Sequence, residues 1–91
     1  MNYQIIATEH YLKKLEKFLK QHSEISLQYK KSIVILSANP RHPSLRNHKL
    51  QGQLKQYYSV SINTKYRIVV DFMIKDNTII LIDIGMHNEV Y

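Results

Sequence analysis

The chain changes its hydrophobic period once, near Gly52. Ahead of that point Tyr11, Leu12, Leu15, Phe18 and Leu19 fall on a single 3.6-period stripe, and Thr8 followed by Glu9 can cap it, so the pattern predicts a helix over about residues 9 to 21. Ile25, Tyr29, Ile33 and Leu36 recur at spacings of four and three, and with Ser23 as the cap they predict a second helix from about 24 to 37. A short β-rich run, residues 3 to 7, precedes both. Asn39-Pro40-Arg41-His42-Pro43 cannot continue a helix, because proline lacks the amide proton and restrains the residue before it. A long loop is therefore expected to about Leu54, a length that points to binding, catalysis or mobility.

Beyond Gly52 the period is two. Tyr58, Val60 and Ile62 alternate with Ser59, Ser61 and Asn63, and Tyr66, Ile68, Val70 and Phe72 alternate with Arg67, Val69, Asp71 and Met73. Asn63-Thr64-Lys65 and Lys75-Asp76-Asn77 have hairpin length, so strands at about 56 to 62, 66 to 74 and 78 to 84 form an antiparallel meander, with Gly85 halting the last. The expected fold class is α+β: two antiparallel helices on one face of a twisted, mostly antiparallel sheet, with the first strand at an edge. At this length residues 1–91 make one domain, burying only about 60 to 65% of the unfolded surface.

Composition narrows the function classes. The chain has no cysteine, which removes disulfides, thiol nucleophiles and cysteine zinc sites together. The first residues carry no basic leader or signal-length apolar run, and no apolar stretch is long enough for a bilayer, so the expectation is a cytoplasmic protein without a membrane partner. Net charge is +6, and it lies entirely in the first part: nine Lys and Arg against three Glu up to Gln53, then four of each sign. A field of that sign favours a polyanion or an acidic protein segment.

The candidate chemistry is carried by few residues. Arg67 stands mid-strand, where an unpaired charge is expensive to bury. Either it forms an ion pair with Asp71 or Asp83, or its guanidinium forks onto a phosphate. His87 follows Gly85 and can exchange a proton near neutral pH; His48 sits in the basic loop with Arg46 and Lys49, and Lys55 follows. Tyr91 can stack on a base or align a phosphate if Val90 anchors the tail. His22 reads as a favourable charge at a helix end and His10 as surface. Metal spacing is absent, with no His-x-x-x-His and no cysteine, and two glycines are too few for a phosphate-cradling loop.

In order and spacing, several pieces resemble the RelE/ParE superfamily, more specifically the RelE, YoeB and YafQ group of mRNA interferases. They are Leu45-Arg46-Asn47-His48-Lys49-Leu50-Gln51-Gly52, Tyr58-Ser59-Val60-Ser61-Ile62, Tyr66-Arg67-Ile68-Val69, and Asp83 to Tyr91. The resemblance implies a toxin, monomeric within a hetero-oligomeric complex with its antitoxin, that cuts mRNA in the ribosomal A site without metal or cofactor. It implies that Arg67 is the strand arginine at the scissile phosphate, His87 the histidine near the carboxyl end, His48 the histidine of the His-x-Leu-x-Gly element, and Tyr91 the terminal aromatic. Apart from the resemblance, Lys49 can be supplied from the loop to join Arg67 in the catalytic set, and Arg46 and Lys55 are candidate RNA contacts if they ring the same hollow and otherwise ordinary solvent residues. Where YafQ has a second histidine and an aspartate the chain has Ser61 and Lys65, and where YoeB has a glutamate it has His42, Pro43 and Ser44. ParE proteins, which act on DNA gyrase, share the fold, so a gyrase inhibitor and a silent RNA- or protein-binding domain stay open beside the nuclease.

Overall fold

A computed structural model describes residues 2–73 and 76–86. The first strand, β1 (Gln4–Ala7), leads into helix α1 (Glu9–Gln21), whose start is fixed by Thr8: its Oγ1 accepts from the Tyr11 amide at 3.1 Å and donates to the Leu81 carbonyl at 3.1 Å. One hydroxyl thus caps the helix and ties it to the sheet. Ser23 does not cap the second helix. Residues Ser23–Ile25 form a 3-10 turn, and α2 (Ser26–Ala38) starts after it without a side-chain cap.

The loop that the prolines predict is more ordered than its composition implies. It contains a 3-10 turn at Pro43–Leu45, the two-residue strand β2 (His48–Lys49), and a second 3-10 turn at Gly52–Leu54. Leu45 and Leu50 are buried and pin it down, and the positive φ of Gly52, 68°, is a conformation that glycine adopts without steric cost. Strands β3 (Tyr58–Ser61), β4 (Tyr66–Met73) and β5 (Thr78–Met86) follow as an antiparallel meander. The β3–β4 turn is closed by Asn63, whose Oδ1 accepts from the amides of Lys65 and Tyr66.

The sheet order is β1-β5-β4-β3-β2, with β1 at one edge, parallel to β5, and β2 at the other. Two departures from the sequence pattern matter. Gly85 does not halt β5; it is paired opposite Arg67 and the strand runs on to Met86. A register shift between Val69 and Val70 leaves Ile82 as an extra residue on β5, so Ile79 and Leu81 before it and Ile84 after it all enter the same core. That core, between helices and sheet, gathers Tyr11, Phe18, Tyr29, Leu36, Val60, Ile68, Val70 and their neighbours. A smaller cluster, Leu50 and Val69 with Leu54, Tyr57 and Ile82, covers part of the opposite face. No helix among the described residues is long and apolar enough to cross a membrane.

Candidate functional site

Alternation along β3 and β4 sends Val60, Ile68 and Val70 toward the helices and sets Ser59, Ser61, Arg67 and Val69 on the far face. Gly85 is paired opposite Arg67 and contributes no side chain there. Arg67 is only 9% exposed. Its Nε donates to Ser59 Oγ; its Nη2 donates to the Arg46 carbonyl at 3.0 Å and lies 3.4 Å from the Ser59 carbonyl and from His48 Nδ1. Nη1 makes no hydrogen bond among the described residues.

The ion-pair alternative for Arg67 does not hold. Asp83 is taken by Lys14 of α1 at 2.7 Å, with His10 at 3.7 Å, and no described carboxylate lies within ion-pair distance of the guanidinium. Polar contacts hold Arg67 in place while its charge stays uncompensated by this part of the chain. A guanidinium so placed favours an arriving anion, and its rigid fork presents donors that match a phosphate.

The loop supplies the second half of the site. Arg46 ends the Pro43–Leu45 turn in the left-handed conformation, φ 47° and ψ 45°, which directs its carbonyl at Arg67 while its side chain is exposed. His48 comes two residues later, paired with Ser59, and its Nδ1 is 3.1 Å from that same Arg46 carbonyl. A carbonyl can only accept and a guanidinium only donate, so the shorter contact, to Arg46, places a proton on Nδ1 and leaves Arg67 Nη2 a neighbour of His48 rather than a donor to it. Around it, Arg41, His42, Pro43, Arg46, Asn47, His48, Lys49 and Tyr58 line a basic hollow of about 420 Å³, with no carboxylate in its wall among the described residues. Among the described residues no group of three or more His, Cys, Asp or Glu side chains converges as a metal site.

A model of the YafQ family, a bacterial toxin of type II toxin-antitoxin systems, matches residues 3–91. The chain belongs to this family. Its fold is RelE/ParE-like. The crystal structure of Escherichia coli YafQ is 15% identical, with a TM-score of 0.80 over 98% of each chain. A chain of the E. coli DinJ-YafQ toxin-antitoxin complex is 17% identical, with a TM-score of 0.78 over 100% of this chain and 99% of that one. A metal-bound toxin from Helicobacter pylori is 24% identical, with a TM-score of 0.75 over the whole of both. A search of curated proteins returns no match.

Within this YafQ-family chain the structure brings Arg67, His48, Arg46 and Lys49 to one place, the end of the sheet bounded by β2. Lys55, at the end of the Gly52–Leu54 turn, is exposed and lines neither this hollow nor the neighbouring one of His48, Lys49, Leu50, Gln51 and Leu54. His87 and Tyr91 lie outside the described residues. His22 is not simply a charge at a helix end: its Nδ1 is 3.1 Å from the Tyr66 hydroxyl and its ring packs on Phe18 and Tyr66.

Two participants are invisible to a reading based on side-chain chemistry. Ser59, fully buried, orients Arg67, and the only hint is a hydroxyl at a regular alternating position. The other is the Arg46 backbone carbonyl, and no residue type announces it.

Proposed function

We propose that the chain is an mRNA endoribonuclease toxin that acts in the ribosomal A site and is neutralised in the cytoplasm by a cognate antitoxin. The observation that carries this reading is Arg67: a nearly buried guanidinium, held by Ser59 and the Arg46 carbonyl next to an imidazole, with no described carboxylate to balance it. Family membership supports the toxin role, and the basic first part suits an acidic or partly disordered antitoxin segment.

The reaction is an internal transfer at phosphorus. His48 Nε2 takes the proton of a ribose 2′-hydroxyl, whose oxygen attacks the adjacent phosphorus. Arg67, with Lys49 at the rim, holds the charge that grows on the phosphorane oxygens. The bond to the 5′-oxygen breaks as His87 gives that oxygen a proton, leaving a 2′,3′-cyclic phosphate and a 5′-hydroxyl. Tyr91 positions the substrate, Arg46 and Lys55 meet flanking phosphates, and neither metal nor cofactor takes part. The nucleophile is the 2′-hydroxyl, so DNA is not cut.

Inducible expression of wild type, Arg67→Ala and His87→Ala tests the proposal, reading growth, mRNA ends and plasmid supercoiling. Arrest with new ends inside translated regions, relieved by both substitutions, is the expected result. Arrest with intact mRNA and altered supercoiling, persisting in His87→Ala, selects a gyrase inhibitor instead, and no arrest selects a silent binder. Products ending in a 3′-hydroxyl would exclude the chemistry.

A further inference from the structure

Beside the basic hollow lies a second one of about 350 Å³, lined by Tyr3, Ala38, Asn39, Pro40, Arg41, Asn47, Tyr58 and Phe72. It sits on the helix side of the sheet, where α2 ends and the two-residue β2 leaves the sheet edge short. Its walls are aromatic. Tyr58 and Phe72 meet edge to face with ring centroids 5.0 Å apart, and both remain half-buried with Tyr3, so their rings are not sealed into the core. The nuclease chemistry described above uses none of these rings.

Arg41, Asn47 and Tyr58 line both hollows, so the aromatic space continues the cationic one around the sheet edge. Lys49, paired with Tyr58, and His48, paired with Ser59, mark the way from one face to the other. Asn47 stands at the seam. Its Nδ2 donates to the Pro40 carbonyl at 2.9 Å, and its Oδ1 is buried with no hydrogen-bond partner among the described residues, an acceptor not yet committed. Among the described residues neither hollow has an acidic side chain in its lining.

We infer that the hollow of Tyr3, Pro40, Tyr58 and Phe72 takes an unstacked base of single-stranded RNA, from a nucleotide near the one whose phosphate sits at Arg67. Sequence-specific RNA recognition works by splaying out bases, laying them on aromatic rings and meeting their edges with amide groups. The hollow offers aromatic rings and the asparagines Asn39 and Asn47 beside a surface suited to the phosphate chain. The same continuity favours RNA over a protein side chain as the occupant. The inference rests on the RNA-cleaving reading and adds a base-recognition subsite to it.

The test is an NMR titration of the labelled full chain at low salt with 2′-O-methyl tetra-adenylate, which cannot be cleaved, and with versions abasic at each position in turn. Removing one particular base should weaken binding by roughly tenfold and abolish the shifts of the Tyr58 and Phe72 rings, as expected for loss of a single base stack. Tyr58→Leu should bind the intact oligonucleotide as weakly as wild type binds that abasic one, with no further loss from the abasic site, whereas Tyr58→Phe should retain wild-type binding. If Tyr58→Leu does not fold, the abasic series on wild type decides alone.

Binding that still depends on Arg67 but is indifferent to every abasic position would overturn the base subsite and leave the nuclease reading standing. Absence of any RNA binding at millimolar oligonucleotide overturns both. A Tyr58→Leu variant altered only in antitoxin affinity would assign the hollow to a protein side chain and overturn the inference.

Discussion

The two faces of the sheet bury polar groups in opposite ways. On the helix side, the hydroxyls of Tyr11 and Tyr29 meet at 2.7 Å inside the main core, and burial raises the pKa of both above the usual tyrosine range. They are neutral groups that satisfy each other, which is how a core tolerates polarity. On the far side, Arg67 is held by a hydroxyl and a backbone carbonyl but by no described carboxylate. A closed pair belongs to stability, whereas a held but unbalanced charge awaits a ligand.

The sharpest way to break this comparison is Arg67→Met, which removes the charge and keeps much of the side-chain bulk. Messenger RNA cleavage should fall by about 10²- to 10³-fold, the range seen when a group that stabilises transition-state charge is lost. Thermal stability should hold or rise, since replacing a buried charge by an apolar chain of similar volume is often neutral or stabilising. Parallel loss of stability and cleavage would mean that Arg67 is a structural residue like the tyrosine pair. Arg67→Lys should rescue little, because an ammonium cannot reproduce the fork that reaches Ser59 and Arg46 together.

His48→Asn sharpens the same point at the neighbouring residue. The asparagine amide can still donate to the Arg46 carbonyl but offers no basic nitrogen in place of Nε2. Cleavage should drop by about 10²-fold, the lower end for loss of a general base, with the melting temperature unchanged. Unaltered cleavage would move the base role to another group.

Much of the architecture was legible because it depends on period. Both helices and the three-strand meander follow from apolar spacing with the turn residues between, and the edge position of β1 from its place ahead of both helices. The site was half legible. Arg67 stands out as a charge on a strand, but the carbonyl that anchors it depends on a left-handed Arg46, a conformation that residue type does not predict. The extent of β5 departs from the pattern for a related reason: Gly85 looks like a stop, yet it is a paired position opposite Arg67 and the strand runs on to Met86. The bulge at Ile82 likewise leaves no mark on a strand of near-continuous isoleucine and leucine.

Arg46→Gly separates the backbone role from the side chain. Glycine adopts the left-handed conformation without a side-chain penalty, so the carbonyl should stay on Arg67 and the thermal midpoint should not fall. Only the exposed guanidinium is lost, and cleavage or RNA affinity should weaken by no more than a few-fold, with a shallower salt dependence. A collapse as large as that of Arg67→Met would show that the side chain itself belongs to the catalytic centre.

The smallest effects are expected on the closed side, in stability alone. Tyr11→Phe leaves the Tyr29 hydroxyl buried without its partner and should cost about 1–3 kcal/mol in chemical denaturation, while Tyr11→Phe with Tyr29→Phe should cost less than the single change, since both polar groups then leave together. Alkaline pH reads the same pair. Unfolded tyrosine loses its proton near pH 10, about where a model peptide does, whereas Tyr11 and Tyr29 keep theirs in the fold because burial disfavours the phenolate. Their stabilising contribution is therefore complete below about pH 10 and is lost as pH rises past it, because the unfolded chain then binds fewer protons than the native one. Unfolding free energy should decline by up to about 1.4 kcal/mol per pH unit for each tyrosine, and the double phenylalanine variant should flatten that slope. An unchanged slope in the double variant would place the alkaline sensitivity elsewhere, with the lysines that lose their charge in the same range.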